Sequence, residues 1–334
     1  MSITDWAGIH GDRFRDVTTL VTGGAGFIGS HITAALLTLG ARVRVIDDLS
    51  GGDRANLAPL ESQYGSRLTF HEGSILDRPL MDEITAGCRH VFHQAALGSV
   101  PRSINEPEQY TQVNITGTVN VLEAARQAGV HRVIFAASSS AYGDTETLPK
   151  VETMPPRCKS PYAATKLAGE GLMSAWAGSY PLDTAALRYF NIFGPRQNAN
   201  SAYAAVIAAF AKSLIEQDAP PVIFGDGEQS RDFTYVDNAV HANLLAAAAE
   251  GPLGGPVINI ACGRRITVNA LATTMAGQLG KPHLHPIHQA DRPGDVKHSL
   301  ADLTRARELI GYEPIVPFEK GLEPTLAWYQ AIMV

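Results

Sequence analysis

The chain reads as an α/β protein: a doubly wound parallel sheet with helices on both faces, carrying a smaller, mostly C-terminal unit. Three observations predict this. Strand-like apolar runs alternate with helical periods from Val17 to about Phe190, the rhythm of a parallel sheet covered on both sides. A glycine-rich turn at 23–29 joins the first strand to the first helix. After Asn191 the alternation breaks, so a different unit begins there.

Taken in order, strands are expected at Thr18–Thr22, Arg42–Asp47, Leu68–His71, His90–Gln94, Arg132–Ala137 and Asp183–Phe190, with helices such as Ile28–Leu39, Thr111–Ala128 and Tyr162–Trp176 between them. A helix over Tyr203–Gln217 leads to a short strand, Pro221–Phe224. Phe233–Val236 and the alanine-rich Asp237–Ala249 read as a return to the first unit. Beyond Pro256 come a strand (Val257–Ala261), a helix (Val268–Gly280) and two terminal helical segments. The reading therefore assigns 1–190 and about 232–256 to a nucleotide-binding domain, and about 191–231 and 257–334 to a discontinuous substrate-binding domain. No repeat, low-complexity tract or flexible linker separates them.

The 334 residues, 45% apolar and 18% charged, suit one large domain with a smaller one appended. A net charge of −6 argues against nucleic-acid binding, which calls for a basic excess. Cys88, Cys158 and Cys262 are scattered and odd in number, which points to a reduced, cytoplasmic protein. Met1-Ser-Ile-Thr-Asp-Trp6 lacks the basic and apolar regions of a secretory signal, and the longest apolar stretch, Ala202–Ala211, is about half a membrane span. No membrane partner is expected.

Thr22-Gly23-Gly24-Ala25-Gly26-Phe27-Ile28-Gly29 places glycines at a G-x-x-G-x-x-G spacing between a strand and a helix. Glycines there permit a tight turn, close approach of backbone to a pyrophosphate and close helix–strand contact, while the helix N-terminus offers N–H groups to the phosphates. This is a Rossmann-type arrangement. Asp47 ends the second strand, eighteen residues after Gly29, where a carboxylate meets a ribose 2′-hydroxyl. With Asp48 beside it, a 2′-phosphate would be repelled, so NAD is favoured over NADP.

Tyr162 and Lys166 stand four apart in Ser160-Pro-Tyr-Ala-Ala-Thr-Lys166, which puts both on one helix face. A nearby ammonium favours the phenolate and is expected to draw the phenol below its free value of about 10, making a proton acceptor near neutrality. Ser138–Ser140 ends a strand; alone, it reads equally as a turn bonding its own backbone.

These motifs, with His93-Gln-Ala-Ala96 and Asn114 in Val113-Asn-Ile-Thr-Gly-Thr118, resemble the extended short-chain dehydrogenase/reductase family from about Val17 onward. Leu187-Arg-Tyr-Phe-Asn191, Arg231-Asp-Phe-Thr-Tyr-Val-Asp237 and Arg292-Pro-Gly-Asp295 resemble its nucleotide-sugar-modifying branch. His93–Ser103 and Asn200–Val206 are similar to bacterial UDP-hexose 4-epimerases that prefer N-acetylated sugars. The resemblance implies NAD as cofactor, held by Gly23, Gly26, Phe27, Ile28, Gly29, Asp47, Ser74, Ile75, Gln94, Ala95, Ala96, Asn114, Tyr162, Lys166 and Tyr189. The family's Gly-Asp after the third strand is here Gly73-Ser74, leaving a serine hydroxyl for the adenine amino group. It further implies Tyr162, Lys166 and Ser138 as catalytic: hydride leaves sugar carbon-4, and the keto sugar turns and takes it back on its other face.

Relatives that dehydrate or decarboxylate carry acidic residues two or three positions before the Tyr-Gly pair; here those positions are Ser139 and Ser140, which disfavours the 4,6-dehydratase and UDP-glucuronate decarboxylase readings. By the resemblance Arg231 and Arg292 meet a UDP diphosphate, Asn191 the diphosphate or sugar and Asp295 the uridine ribose; the run Pro221–Gly225 reads either as placing Phe224 or a neighbour against the uracil or, equally, as a core strand. Ala205 and Val206 join this pocket, and Gly98, Ser99, Arg102 and Ser138–Ser140 line the sugar side. Arg102 also leaves the uronic acids open, as a cation for a carbon-6 carboxylate. Ser299 matches the family's gatekeeper at carbon-2, where a small residue admits an acetamido group and so predicts UDP-N-acetylglucosamine and UDP-N-acetylgalactosamine. His283, His285 and His288 alternate without a carboxylate or cysteine and read as a solvated strand; no metal is expected. The small-residue face Ala164, Ala168, Gly171 and Ala175 allows close helix approach. The resemblance turns it, with Thr111–Ala128, into a homodimeric four-helix bundle.

Overall fold

The computed structural model describes residues 2–198, 206–290 and 297–333. Six strands lie where apolar runs predict them: β1 (Thr18–Thr22), β2 (Arg42–Asp47), β3 (Leu68–Glu72), β4 (His90–His93), β5 (Arg132–Ser138) and β6 (Asp183–Tyr189). Short strands follow: β7 (Ile192–Phe193), β8 (Val222–Phe224), β9 (Ser230–Arg231), β10 (Thr234–Tyr235), β11 (Val257–Ile260), β12 (Ile266–Thr267) and β13 (Ile287–Gln289). The main sheet has seven strands in the order β11-β6-β5-β4-β1-β2-β3, all paired parallel. Val257–Ile260, placed by the sequence reading in the substrate-binding unit, is instead the sheet's edge strand, with Val257 opposite Ala186 and Ile260 opposite Tyr189. Its apolar run is as good a sheet edge as a separate strand, and only the crossover through the preceding helix decides.

The helices are α1 (Trp6–His10), α2 (Phe27–Thr38), α3 (Ala58–Tyr64), α4 (Arg78–Thr85), α5 (Val100–Asn105), α6 (Pro107–Thr111), α7 (Gly117–Gln127), α8 (Pro161–Ser179), α9 (Val206–Ala211), α10 (Val236–Ala248), α11 (Val268–Gln278), α12 (Thr304–Ile310) and α13 (Phe318–Met333). Helices cover both faces of the sheet, so the inner strands β1, β4, β5 and β6 are buried along nearly their whole length, whereas β2 exposes Arg42 and β3 is buried only at Leu68. On one face Val21, Val45, Ile134, Leu187 and Ile258 pack with Ile32 and Leu36 of α2 and Val240 and Leu244 of α10. On the other, Leu20, Ile46, Val91 and Phe135 pack with Met81 of α4, Val121 and Leu122 of α7 and Met173 of α8. A third cluster gathers Phe193, Phe210, Ile223, Phe233, Leu271, Met275 and Phe318 from the short strands with α9, α11 and α13.

The single helix expected over Thr111–Ala128 is broken by a π-helical turn at Gln112–Thr116, a feature that tends to mark functional sites. β13, which carries His288, is exposed and pairs with β8. Among the described residues no group of three His, Cys, Asp or Glu could hold a metal ion, and no helix is long and apolar enough to cross a membrane.

Candidate active site

The chain reverses direction across the sheet between β1 and β4, and parallel sheets bind ligands at the carboxyl ends of their strands at such a point. A cavity of about 350 Å³ opens there. Its floor is the glycine turn. Gly23 has φ +67, and a Cβ on it would lie 2.7 Å from the Ala95 nitrogen. A Cβ on Gly29 would fall 2.1 Å from the Gly23 carbonyl oxygen. Gly26, Phe27, Ile28, Ser74, Ile75, Gln94, Ala95, Ala96, Gly98 and Tyr189 line the same space.

Asp47 is nearly buried and accepts N–H bonds from Ala25 (3.0 Å) and Leu49 (2.9 Å). Burial raises its carboxyl above the usual range, opposed by those N–H donors. A Cβ on Gly52 would come within 2.9 Å of both carboxylate oxygens, so only glycine there leaves the carboxylate open to a ribose. His93 ties the end of β1 to α7 through Thr22 Oγ1 (2.8 Å) and Thr118 Oγ1 (3.0 Å). Burial, helped by Lys166, holds it neutral by lowering it to about 3. Cradle, carboxylate and glycine contacts fit a dinucleotide.

Tyr162 and Lys166 enter the cavity from the first two turns of α8. Ser160 caps that helix by accepting from the Ala163 N–H (3.2 Å), and Pro161 at the first helical position adds a preset φ. Ser138 ends β5 and caps the 3-10 turn Ser139–Tyr142. Its oxygen accepts from the Ser140 N–H (3.2 Å) and the Ser140 hydroxyl (2.9 Å). The Ser138 hydroxyl near Tyr162 favours the phenolate.

One expectation is reversed. Burial raises the Tyr162 phenol, outweighing Ser138, whereas the helical spacing suggested a lowered one. The reason is that Lys166 is itself buried, lowered by desolvation to about 7, and its amine donates to the Ala136 carbonyl (2.8 Å). A lysine that binds its proton so weakly gives the phenol little charge to lean on.

A second cavity of about 350 Å³ is lined by Asn191, Val206, Phe224, Gln229, Arg231 and Phe233 among others. The Asn191 amide donates to the Asp232 carbonyl (3.2 Å) and to Ser299 Oγ (3.1 Å), so the gatekeeper candidate sits one side chain from this cavity. Arg231 also donates to the Ser230 and Lys297 carbonyls. Ala205, Arg292 and Asp295 lie outside the described residues.

Not every sequence candidate reaches a cavity wall. Asn114 is buried in the π-helical turn and spends its amide on the Leu97 N–H and C=O and on Thr165 Oγ1; its neighbour Val113 lines the first cavity instead. Ser99 caps α5, and Arg102, on the same helix, is half-exposed in an ion pair with Glu106 (2.8 Å). Others were missed. Ser50, Gly51 and Gly52 line the first cavity, and the Gly51-Gly52 pair just after Asp47 and Asp48 was a readable signal. Asn243 was not readable: it reaches from α10 to donate to Tyr189 Oη (2.6 Å), and Tyr189 donates to Gln94 (3.3 Å).

Residues 19–261 match the model of the NAD dependent epimerase/dehydratase family. A UDP-glucose 4-epimerase of Mycolicibacterium smegmatis is 38% identical over 93% of this chain and 98% of its own. The structure of a UDP-N-acetylglucosamine 4-epimerase from Methanobrevibacter ruminantium, in complex with UDP-N-acetylmuramic acid, superposes with a TM-score of 0.89 at 39% identity, covering 96% of this chain and all of that one. A Thermus thermophilus UDP-glucose 4-epimerase complexed with NAD gives 0.81 at 34% identity, covering 94% and 99%. With a fitting dinucleotide cradle, a Tyr–Lys–Ser cluster at its edge and relatives matched from end to end, the chain belongs to the NAD-dependent epimerase/dehydratase family, and its cofactor is NAD.

Proposed function

We propose that this protein is a UDP-sugar 4-epimerase acting on UDP-N-acetylglucosamine and UDP-N-acetylgalactosamine. The observation that carries the reaction type is the loop facing Tyr162: Ser138-Ser139-Ser140 supplies hydroxyls and no carboxylate. Removing water or carbon dioxide from a keto sugar needs a further acid or base; epimerisation does not. NAD, when bound, supplies a hydride acceptor that can return what it takes.

The chain's own residues do the rest. Tyr162, as the phenolate, takes the proton of the sugar's 4-hydroxyl and becomes the phenol, and Ser138, its oxygen already accepting from Ser140, favours the phenolate beforehand by turning its own hydroxyl hydrogen toward it. Lys166, fixed on Ala136, holds a ribose hydroxyl and contributes charge when protonated. Arg231 offers a bidentate donor to the diphosphate, and Phe224 a face to the uracil. Ser299 and Asn191 leave room for an acetamido group at carbon-2. The exposed, small-residue stripe Ala164, Gly171 and Ala175 on α8 suits a homodimer built with α7, and three unpaired cysteines suit the cytoplasm.

Incubation with UDP-N-acetylgalactosamine, no NAD added, and separation of the products tests the reading. A 4-epimer without net NADH is expected; loss of water or carbon dioxide overturns it in favour of a lyase. Ser299→Tyr should cut turnover of the N-acetylated sugar at least tenfold while sparing UDP-galactose, and equal effects on both would remove the gatekeeper.

A further inference from the structure

Beneath the catalytic serine lies a buried polar cluster that the reaction does not use. Arg188 on β6 makes a two-pronged bond to Glu170 on α8, with Nε to Oε1 and Nη2 to Oε2 both 2.7 Å. Both side chains are 4% exposed. The guanidinium stacks on the ring of Tyr142, 4.6 Å from its centre. Tyr142, 1% exposed, donates its hydroxyl to Asn259 Oδ1 (2.7 Å) on β11. Asn259 is fully buried and donates in turn to the Lys150 carbonyl (2.9 Å).

The arrangement joins every element that carries the proton-transfer groups. Glu170 stands four residues after Lys166 and eight after Tyr162, on one side of α8. Arg188 pairs across the sheet with Ala137, the residue before Ser138. Tyr142 closes the same 3-10 turn that Ser138 opens. A buried ion pair is weak evidence for stability, since well-packed apolar residues usually serve as well. What an apolar trio would lack is direction: the two-pronged bond and the Tyr142 hydroxyl fix orientation as well as distance.

We propose that Arg188, Glu170 and Tyr142 are positioning residues that set where the Ser138 hydroxyl stands relative to the Tyr162 phenol. The inference rests on the reading in which Tyr162 accepts the proton. Loosening the cluster lets the turn drift, moves the Ser138 hydroxyl away from the Tyr162 phenol and withdraws its support from the phenolate.

The test uses the full chain with its cofactor and the variants Tyr142→Phe, which keeps the ring and its stacking, and Glu170→Gln, which keeps the volume. Tyr162 is titrated by its phenolate absorbance, each protein being differenced against the same protein carrying Tyr162→Phe. Both variants should move the Tyr162 midpoint upward by about 0.5–1 pH unit, which is about a three- to tenfold loss of phenolate near neutrality, in the direction given by Ser138→Ala. Turnover should fall about tenfold with KM for the UDP-sugar unchanged, and Tyr142→Phe should add less than about twofold to the loss already caused by Ser138→Ala, because coupled sites are not additive. An unmoved midpoint, or losses that multiply in full, overturns the proposal. If the wild type epimerises no UDP-sugar, the functional reading falls, and the phenol titration still decides this inference.

Discussion

Lys166 should destabilise the fold that it serves. The residue is 4% exposed, its amine has the Ala136 carbonyl at 2.8 Å and the Phe135 ring centre at 4.9 Å, and burial lowers it from 10.5 to about 7. Between those two values the unfolded chain holds a proton that the folded chain has given up. Stability therefore rises with pH across this window, by up to about 1.4 kcal/mol per unit. Near pH 7 the burial of this lysine costs about 4 kcal/mol, and near pH 9 about 2 kcal/mol. Methionine fills similar space without the charge. Replacing the lysine leaves the Ala136 carbonyl unpaired, at a cost of about 1–2 kcal/mol. Lys166→Met should then stabilise the cofactor-free protein by about 2–3 kcal/mol at pH 7 and by less than about 1 kcal/mol at pH 9, while turnover is lost. Urea unfolding midpoints of both proteins at the two pH values measure this. A methionine variant less stable than wild type at pH 7, or a difference that does not shrink with pH, would refute the reasoning.

Gly29→Ala should weaken NAD binding at least tenfold and lower stability by about 1–3 kcal/mol, because its Cβ meets the Gly23 carbonyl at 2.1 Å; Gly277→Ala on α11, whose Cβ meets nothing within 4 Å on an exposed helix face, should be neutral or stabilising by about 0.5–1 kcal/mol. Calorimetric melting with an NAD titration checks both. Arg132 is fully buried, pairs with Asp183 (2.5 Å) and donates to the Ala246, Ala247, Ala249 and Gly251 carbonyls at the end of α10. Arg132→Met should therefore cost about 3–5 kcal/mol with kcat unchanged in the protein that remains folded.

What was legible in the sequence is what short-range periodicity and steric need determine. The first six strands and the glycine turn announce themselves, because each buried strand carries a short apolar core between helical periods and a turn against a neighbouring backbone must lack a Cβ. Val257–Ile260 was legible as a strand but not as the sheet's edge, since hydrogen-bond partners leave no local mark. Tyr162 and Lys166 were legible as a pair on one face. Their protonation was not, because it depends on how deeply α8 packs against β5 and on which carbonyl the lysine finds. Asn114 shows the same limit: an amide that looks ready for a ligand is consumed by the Leu97 backbone. The helix α1, with Trp6 buried and His10 bonded to His241 (3.0 Å), lies before the residues that match the family model and carried no motif.

The two cavities are adjacent through the end of one strand, and that junction is held in an unusual backbone state. Tyr189 lines the first and Asn191 the second. Between them the chain leaves β6, and Asn191 takes φ +40, a left-handed conformation that asparagine tolerates better than most residues with a Cβ. Strain of this kind survives only where surrounding contacts overdetermine it. Here those contacts are the Asp232 carbonyl and Ser299 Oγ, both reached by the Asn191 amide. Asp232 in turn receives N–H bonds from Cys262, Gly263 and Ala301, which ties the segment after β11 and the segment bearing Ser299 to the same point. A strand end that carries a cofactor wall on one residue and, two residues later, a wall of the cavity proposed for the substrate fixes the relative position of the two walls by covalent geometry. A reaction in which one carbon gives up and takes back a hydride requires that fixed relation more than it requires any additional catalytic group.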